Sequence, residues 1–240
     1  MIKFLLIFFY LFATLLFSPF IYFFYRALRI KVIKKWSLLI LKILNINLST
    51  NINLYDVMKD DRFLIVSNHV SWLDIIVLNA MHPVSFVAKS DIKHWPFINL
   101  LCAISETIFI DRSSPAKVKK VIVQVSENLA QKNVCIFPEG TSTDGFDVLP
   151  FKSNLFESAI MANVSILPIA ISYYIDNKKT AACSYYGDMS ILESLISILK
   201  LNRITVKIEV LNRIKSNRER KILSSLAYQM IRSEVTREIR

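Results

Sequence analysis

The residues best suited to proton transfer are a histidine and an aspartate five positions apart, His69 and Asp74. An apolar run over 63–67 predicts a buried strand that ends just before the histidine, and a helix is predicted over 72–80. A carboxylate in the first turns of that helix can reach the imidazole, fix its tautomer and leave the other ring nitrogen to take a proton from a hydroxyl. A buried histidine with a purely structural partner, at a helix start capped by Ser71, is the alternative, and spacing alone leaves it open.

Two further strand ends carry groups that can bind an anion. The loop over 137–145 reads FPEGTSTDG and holds two of the three glycines in the chain. Its backbone amides and hydroxyls can bind an anion or a polar head group. Arg112, at the end of an apolar run over 107–110, can hold a phosphate through two parallel hydrogen bonds. Considered singly, the loop is equally compatible with a tight turn at Asp144-Gly145, and the arginine with a solvated strand edge.

The elements that would position these residues alternate along the chain. Short apolar runs and segments of helical periodicity follow one another from residue 62 onward, which is typical of a sheet covered by helices. Strands are predicted over 63–67, 84–88, 107–110, 134–137, 165–172 and 205–211. Helices are predicted over 72–80, 115–131, 154–163 and 218–239. The predicted fold class is α/β, a mixed sheet flanked by helices, with an N-terminal membrane helix or helical hairpin.

Residues 1–50 are predicted to anchor the chain to a membrane, and residues 51–240 to form the domain that carries the chemistry. Residues 4–25 hold no charge, and a helix of this length, at about 1.5 Å per residue, crosses a hydrocarbon core of about 30 Å. A secretory signal peptide would have a shorter apolar core and a small-residue cleavage site. The sequence does not separate a spanning helix from a helical hairpin that breaks at Ser18-Pro19 and returns through 36–48. Basic residues that follow the apolar segment place its C-terminal side in the cytoplasm: Arg26, Arg29, Lys31, Lys34 and Lys35.

The charge distribution favours a membrane over a nucleic acid as the partner. The chain carries 30 Lys+Arg against 19 Asp+Glu, a formal net charge of +11. Seven basic and no acidic residues lie in the first 50, beside the apolar segment, so an anionic lipid surface is the better partner. A codon bias toward lysine would also raise the charge, and a nucleic-acid binder would show steeply salt-dependent binding. Cys102, Cys135 and Cys183 do not have metal-ligand spacing, so they are predicted to be buried and reduced, and no metal site is expected.

Together these residues resemble the glycerolipid acyltransferases. Asn68-His69 with Asp74 matches the N-H-x-x-x-x-D signature of that family, and FPEGT at 137–141 matches its third block. The segments 106–112 and 166–169 are similar to the second and fourth blocks. Four blocks in the family's order over 62–172 are far more specific than any one of them. The apolar N-terminal segment fits the 1-acylglycerol-3-phosphate acyltransferase branch.

The resemblance implies transfer of a fatty acyl group from a thioester of CoA or acyl carrier protein to a lipid hydroxyl, with no cofactor, metal or covalent acyl-enzyme. It makes His69 the general base and Asp74 its orienting partner. It assigns Arg112 to the acceptor phosphate, with Lys89 as a second basic group near it. The acceptor site would also include four residues of the first and third blocks: Asn68, Glu139, Gly140 and Thr141.

Two departures from the family pattern bear on the acceptor. Glu106 replaces the glycine of the second block, and Ser142 stands where phosphatidate-forming members usually have an arginine. The run EGTSTDG, followed by 149–152 and 186–189, also resembles the lyso-ornithine-lipid acyltransferases. Lys152 could replace the missing cation.

The expected function is that of an inner-membrane enzyme whose catalytic domain lies on the cytoplasmic side and makes phosphatidate from 1-acylglycerol-3-phosphate. Acylation of lyso-ornithine lipid or another lyso-aminolipid is the alternative with the same chemistry. A catalytically silent membrane-binding protein is the alternative from another class. A His69→Ala substitution separates that last alternative from the enzyme, because it abolishes only turnover.

Overall fold

The computed structural model describes residues 2–94 and 98–237. The helices are α1 (Ile2–Tyr22), α2 (Arg26–Leu44), α3 (Leu54–Met58), α4 (Leu73–Met81), α5 (Ile98–Ile104), α6 (Pro115–Leu129), α7 (Glu157–Ala162), α8 (Ile191–Lys200) and α9 (Arg220–Thr236). The strands are β1 (Ile46–Thr50), β2 (Phe63–Ser67), β3 (Ser85–Lys89), β4 (Ile108–Ile110), β5 (Val134–Ile136), β6 (Ser165–Ile175), β7 (Lys178–Lys179) and β8 (Ile204–Val210). A helix is predicted over 218–239. The structure describes this part of the chain up to residue 237, and α9 lies within the predicted range.

The strands form one mixed sheet in the order β1-β8-β6-β2-β5-β3-β4, with β7 paired to β6. β2 runs parallel to β5 and β6, and β3 runs parallel to β4 and β5. β8 runs antiparallel to β6 and parallel to β1. The carboxyl ends of β2, β3, β4 and β5 therefore meet at one edge of the sheet, which is where α/β proteins place their sites. The predicted fold class, a mixed sheet flanked by helices, is confirmed.

Apolar side chains cover both faces of the sheet. Phe63 and Ile65 of β2 belong to the core cluster that includes α2, α4 and α8. Leu64 and Val66 of the same strand belong to the cluster that includes α6, α7 and α9. Because successive side chains of a strand point to opposite faces, β2 is buried on both sides, as its continuous apolar run predicts. The residues just after β2 are thus held by the most enclosed strand of the sheet.

The N-terminal helices form a hairpin that turns later than predicted. α1 continues through Pro19 to Tyr22, and the chain turns at 23–25 rather than at Ser18-Pro19. Proline cannot donate to the carbonyl four residues back, which is that of Leu15. The Ser18 hydroxyl donates to this carbonyl at 3.1 Å, so the acceptor is satisfied and the helix persists.

The predicted return segment, 36–48, divides between a helix and a strand. α2 ends at Leu44, and Asn45 takes the left-handed conformation, with a φ of 58°, that ends many helices. β1 begins at the next residue and pairs with β8. Hence the five residues before the predicted domain boundary at 51 belong to the sheet.

Polar contacts hold the hairpin closed and fasten both of its ends to the core. Trp36 Nε1 donates to Thr14 Oγ1 at 2.8 Å between the two helices. At the start of α1, Lys3 Nζ donates to the Leu201 carbonyl at 2.9 Å. Just after the turn, Arg29 forms an ion pair with Glu106 at 2.6 Å. The hairpin is therefore fastened to the core both at the start of α1 and just after the turn between its two helices.

The outer face of α1 is strongly apolar. It is the one helix in the described part of the chain that is long and apolar enough to cross a membrane. Five phenylalanine side chains on it are more than half exposed: Phe8, Phe9, Phe12, Phe17 and Phe20. An exposed apolar surface of this kind marks contact with a membrane or with another protein.

Candidate active site

His69 and Asp74 are in contact, as their spacing predicts. His69 lies in the turn after β2, and Asp74 lies in the first turn of α4. The Nδ1 atom of His69 lies 2.8 Å from Oδ2 of Asp74. The aspartate side chain is fully buried, whereas 21% of the histidine side chain is exposed. When Nδ1–H donates its hydrogen bond to the carboxylate, Nε2 carries no proton and is the proton acceptor of a partly exposed ring.

Asp74 is held in one orientation by three further donors. Its Oδ2 atom accepts from the backbone N–H groups of Val70 at 2.8 Å and Ser71 at 2.9 Å. Its Oδ1 atom accepts from the Tyr173 hydroxyl at 2.6 Å. Burial, and then the charge of Asp74, hold the pKa of Tyr173 well above its usual range, so this phenol remains a donor. Tyr173 was not predicted, because only the pairing of β6 with β2 brings it next to Asp74.

The imidazole ring is also fixed from one face by an aromatic stack. The rings of Phe137 and His69 lie 4.2 Å apart between centroids, at an interplanar angle of 16°. Phe137 in turn lies parallel to Phe86 of β3, with centroids 6.0 Å apart. Aromatic contacts of this geometry stabilise by about 0.5–1.5 kcal/mol each and limit rotation of the ring. The first residue of the FPEGT block thus orients the histidine.

Glu139 connects the loop that carries His69 to the segment that carries Leu149 through two hydrogen bonds. Its Oε1 atom accepts from the backbone N–H of His69 at 2.6 Å, and Oε2 accepts from that of Leu149 at 2.7 Å. Only 3% of the residue is exposed. Burial raises the pKa of Glu139 to about 7, against the two backbone donors, which lower it. Both oxygens of Glu139 are thus bonded to backbone N–H groups, one of them that of His69, and the contact of Glu139 with substrate stays a prediction.

The Asn68 side chain links the residue that follows β2 to the backbone of β6. Its side-chain amide donates to the carbonyl of Ile171 at 2.9 Å, and its side-chain oxygen accepts from the N–H of the same residue at 2.8 Å. Asn68 is 1% exposed. These two bonds continue the attachment of the chain to β6 beyond Ser67, the last residue of β2, where the backbone turns toward His69. These bonds fix the backbone next to His69, and the contact of Asn68 with substrate stays a prediction.

Three cations converge at the same edge of the sheet. A Cβ added to Gly140 would lie 2.6 Å from Arg112 Nη1 and 2.7 Å from Lys152 Nζ. Partial burial, then the charges of Arg112 and Lys89, lower the pKa of Lys152. In the described residues none of the three basic side chains forms an ion pair with a carboxylate. Gly140, with a φ of 78°, leaves the open space in which an anion can meet them.

The loop after Gly140 is fastened beneath the site. The backbone N–H of Thr143 donates to the His69 carbonyl at 2.9 Å. The Ser142 hydroxyl donates to the Tyr185 carbonyl, so the residue that replaces the family's arginine has a structural partner. Thr141 is exposed between them. Of the predicted loop residues, Thr141 and Gly140 are the ones that face solvent near the cations.

A groove of about 680 Å³ extends from the cation cluster between α6 and α7. Arg112 and Lys152 lie at one part of its wall, and apolar side chains such as Val118, Ile122 and Met161 form much of the rest. A site of this composition suits an amphiphile that carries an anionic group.

The three cysteines of the chain are free thiols in the core. Cys102, Cys135 and Cys183 are buried and unpaired, as predicted. Within the described residues no group of three or more His, Cys, Asp or Glu side chains could hold a metal ion. The groups that meet at this edge are thus a histidine–aspartate pair and three cations.

A family model described as Acyltransferase matches residues 46–172, which include the histidine–aspartate pair, Arg112 and the FPEGT block. The chain belongs to the acyltransferase family. The matched range begins at β1 and ends within β6, so it takes in β2 to β5, whose carboxyl ends carry the site.

Relatives of this acyltransferase fall into two groups by name. It is 37% identical over 147 residues to a 1-acyl-sn-glycerol-3-phosphate acyltransferase of Neisseria gonorrhoeae, covering 61% of this chain and 58% of the relative. It is 36% identical over 169 residues to a lyso-ornithine lipid O-acyltransferase of Pseudomonas aeruginosa, covering 70% of this chain and 65% of the relative. The chain therefore spans less than two thirds of the length of these relatives.

A solved structure shares the fold over most of this chain. The crystal structure of the 1-acyl-sn-glycerophosphate acyltransferase from Thermotoga maritima matches with a TM-score of 0.68 and 20% identity. The match covers 92% of this chain and 87% of the other. At this identity the likeness is one of fold.

Proposed function

We propose that this acyltransferase moves a fatty acyl group from a thioester of CoA or acyl carrier protein to the free hydroxyl of 1-acylglycerol-3-phosphate, which gives phosphatidate. The observation that carries the proposal is the meeting of two groups at one edge of the sheet. A partly exposed histidine bonded to a buried aspartate lies there with three cations that no carboxylate neutralises. The first pair suits removal of a proton from an alcohol, and the second suits a phosphate.

In the proposed reaction Nε2 of His69 takes the proton of the acceptor hydroxyl while its oxygen attacks the thioester carbonyl. Asp74 stabilises the imidazolium that forms and keeps the ring in the productive tautomer. The tetrahedral intermediate collapses with cleavage of the carbon–sulfur bond, and the imidazolium returns the proton to the leaving thiolate. General base catalysis contributes about 10²–10⁴-fold, so alignment of the two substrates supplies much of the remaining acceleration.

The cation cluster of Lys89, Arg112 and Lys152 is proposed to bind the acceptor phosphate. A phosphate monoester is close to doubly charged at neutral pH, and Arg112 can engage it through two parallel hydrogen bonds. Lys152 supplies a cation near the position where Ser142 replaces the family's arginine. The apolar groove beside the cluster offers room for part of an amphiphilic substrate.

A lyso-ornithine lipid is the second candidate acceptor. Ser142 favours it, since the loss of the arginine weakens the case for a phosphate monoester, and a lyso-ornithine lipid O-acyltransferase is among the relatives. Against it stands the excess of positive charge at the site. An ornithine head group carries one carboxylate and one ammonium group, so it offers the three cations no net negative charge, whereas a phosphate monoester carries nearly two.

The catalytic domain is proposed to lie on the cytoplasmic face of the inner membrane, held by the hairpin. Lys3, in the first turn of α1, and Arg29, in the first turn of α2, both contact the core. If α1 crossed a bilayer, one of these contacts would break, because the two ends would lie on opposite faces about 30 Å apart. The exposed phenylalanines of α1 therefore favour an in-plane helix whose outer side enters one leaflet.

The acceptor assay tests this proposal. The purified chain in detergent micelles is supplied with one acyl thioester and with either 1-acylglycerol-3-phosphate or lyso-ornithine lipid. We expect rapid acylation of the phosphate-bearing acceptor and at least tenfold slower acylation of the aminolipid. Activity on the aminolipid alone would assign the second acceptor, and activity on neither would remove the proposed function.

A further inference from the structure

A second basic site lies at the opposite edge of the sheet from His69. A cavity of about 240 Å³ opens where α2 passes the amino ends of the parallel strands. Its wall includes Arg62, which precedes β2, Ser85 at the start of β3 and Asn133, which precedes β5. At about 3.3 Å per residue, the five residues of β2 place this cavity roughly 13 Å or more from the catalytic edge.

The cavity has more positive charge than its one carboxylate neutralises. Glu106 lies 2.5 Å from Lys132, 2.6 Å from Arg29 and 3.5 Å from Arg26, so three cations share one acid. Lys59 and Arg62 also line the cavity. Arg62 donates to the backbone carbonyls of Gln131 and Asp61, and among the described residues neither it nor Lys59 pairs with a carboxylate. Five cations against one acid leave an uncompensated charge of about four at the wall.

Two features of the cavity suit the binding of an anion. The Nε atom of Arg29 is buried and has no hydrogen-bond partner, which is uncommon and costly for a charged donor. Burial, then the charges of Lys34 and Arg62, lower the pKa of His82, which lies on the same wall. The two cations add to the effect of burial, so the positive charge of Arg62 reaches the His82 side of the wall.

The cavity lies beside the part of the hairpin that is best suited to the membrane surface. The turn at 23–25 immediately precedes Arg26, and Phe23 and Tyr25 are 84% and 72% exposed. Aromatic side chains of this kind concentrate at the level of lipid head groups, and the basic residues beside them meet the phosphates there. Ile30 and Ile33 add an apolar wall to the same cavity.

We propose that this cavity binds the phosphate group of an anionic membrane phospholipid, with Lys59, Arg62 and Arg26 as its main ligands. Arg26 holds the phosphate next to the aromatic turn, while Lys59 and Arg62 bring charge from the loop between α3 and β2. The bound lipid connects the hairpin to the amino edge of the sheet and so fixes how the core rests on the bilayer. The site is distinct from the cation cluster at Gly140, because the two lie at opposite ends of the same strands.

The inference depends on the proposed contact of the hairpin with lipid but not on the acceptor or on turnover. It is tested by thermal unfolding of the purified full-length protein in neutral maltoside micelles. The micelles are doped with phosphatidylglycerol or, separately, with phosphatidylcholine that carries the same acyl chains. The variant is Lys59→Gln with Arg62→Gln, and the matched control is Lys120→Gln with Lys215→Gln, which removes two exposed cations elsewhere.

Phosphatidylglycerol is expected to raise the Tm of the wild-type protein by about 5 °C at saturation, and phosphatidylcholine to leave it unchanged. The Lys59/Arg62 variant should lose most of this rise, whereas the control pair should retain it. Arg112→Gln, at the catalytic edge, should retain it as well. Should the double variant be poorly folded without lipid, Lys59→Gln alone, an exposed residue, should reduce the rise.

Three results would overturn the proposal. An equal rise with both lipids would show that head-group charge is not recognised. A rise that is lost in Arg112→Gln but kept in the Lys59/Arg62 variant would place the lipid at the catalytic edge. An equal rise with inorganic phosphate alone would show that the cavity takes a soluble anion rather than a lipid.

Discussion

At the scale of single residues, the chemistry depends on how firmly the imidazole is held. Asp74 accepts from His69, from two backbone N–H groups and from Tyr173, and Phe137 stacks on the ring. Each contact limits rotation or tautomer exchange of the base, and pre-organisation of this kind lowers the barrier to proton transfer. In the proposed reaction, the His69 ring is the part of this arrangement that meets the acceptor hydroxyl.

The cation cluster gives a prediction about substrate affinity. Arg112→Gln and Lys152→Gln should each raise the KM for 1-acylglycerol-3-phosphate by about tenfold to a hundredfold, because a charge-assisted hydrogen bond is worth about 1.5–3 kcal/mol. The kcat should change less, since the proton transfer itself is left intact. Lys120→Gln on α6 serves as the control for loss of one exposed cation. Unchanged KM values in both variants would remove the cluster from the acceptor site.

Glu139 gives a prediction about pH and stability. Its pKa rises from 4.5 to about 7 on folding, so the folded chain keeps a proton that the unfolded chain releases between these values. The free energy of unfolding should therefore fall as pH rises through this window, by up to about 3 kcal/mol, and level off above it. Glu139→Gln should lack this slope, and it should be less stable by about 1–3 kcal/mol at low pH, because its amide opposes a backbone N–H.

The slope is measured by urea unfolding in micelles at pH 5 and pH 8. Glu127→Gln, an exposed carboxylate on α6, is the matched control and should keep the wild-type slope. The same pH dependence in Glu139→Gln and wild type would show that another group carries it.

At the scale of elements, the sequence predicts what is buried and periodic. The apolar run of β2 and the i, i+3, i+4 stripe of α6 have the predicted type and nearly the predicted bounds. β1 was missed because its residues continue the amphipathic pattern of α2, and only Asn45 and the pairing with β8 end the helix. The partner in that pairing lies more than 150 residues away, so no local pattern indicates it.

The same limit applies to the site. The contact between His69 and Asp74 could be predicted because a spacing of five residues across a strand–helix turn keeps the two side chains close. Tyr173 and the cation cluster depend on the order of the strands, which the four sequence blocks imply only through family resemblance. Glu106 is a further example of a residue whose contacts the sequence does not predict. It stands in place of the family's glycine with a φ of 54°. Its ion pair with Arg29 depends on the position of α2, which no local pattern gives.

The hairpin gives a prediction about membrane topology. Ile2→Cys at the start of α1 should react with a membrane-impermeant maleimide from the same side of sealed vesicles as Lys120→Cys on the core, because the hairpin is fastened to the core both at the start of α1 and just after the turn. The native cysteines are buried and should react slowly. Labelling of the two introduced cysteines from opposite sides would show that α1 spans the bilayer.

At the scale of the whole molecule, the sheet separates two tasks between its edges. The carboxyl ends of β2 to β5 carry the histidine–aspartate pair and the three cations proposed to bind the acceptor phosphate. The amino ends of the same strands carry the second basic cavity, next to the aromatic turn of the hairpin. Both edges bind phosphate in this account, but only one holds a histidine–aspartate pair, so chemistry is confined to one of two cationic sites.

The most direct test is the initial rate of phosphatidate formation by the purified wild-type chain and by His69→Ala, in the same micelles and with the same thioester. We predict a rate at least a hundredfold lower in the variant, because the general base is lost. Its Tm should fall by only a few degrees, because Asp74 keeps its two backbone donors and the Tyr173 hydroxyl. A well-folded His69→Ala protein that keeps more than a tenth of the wild-type rate would contradict the account.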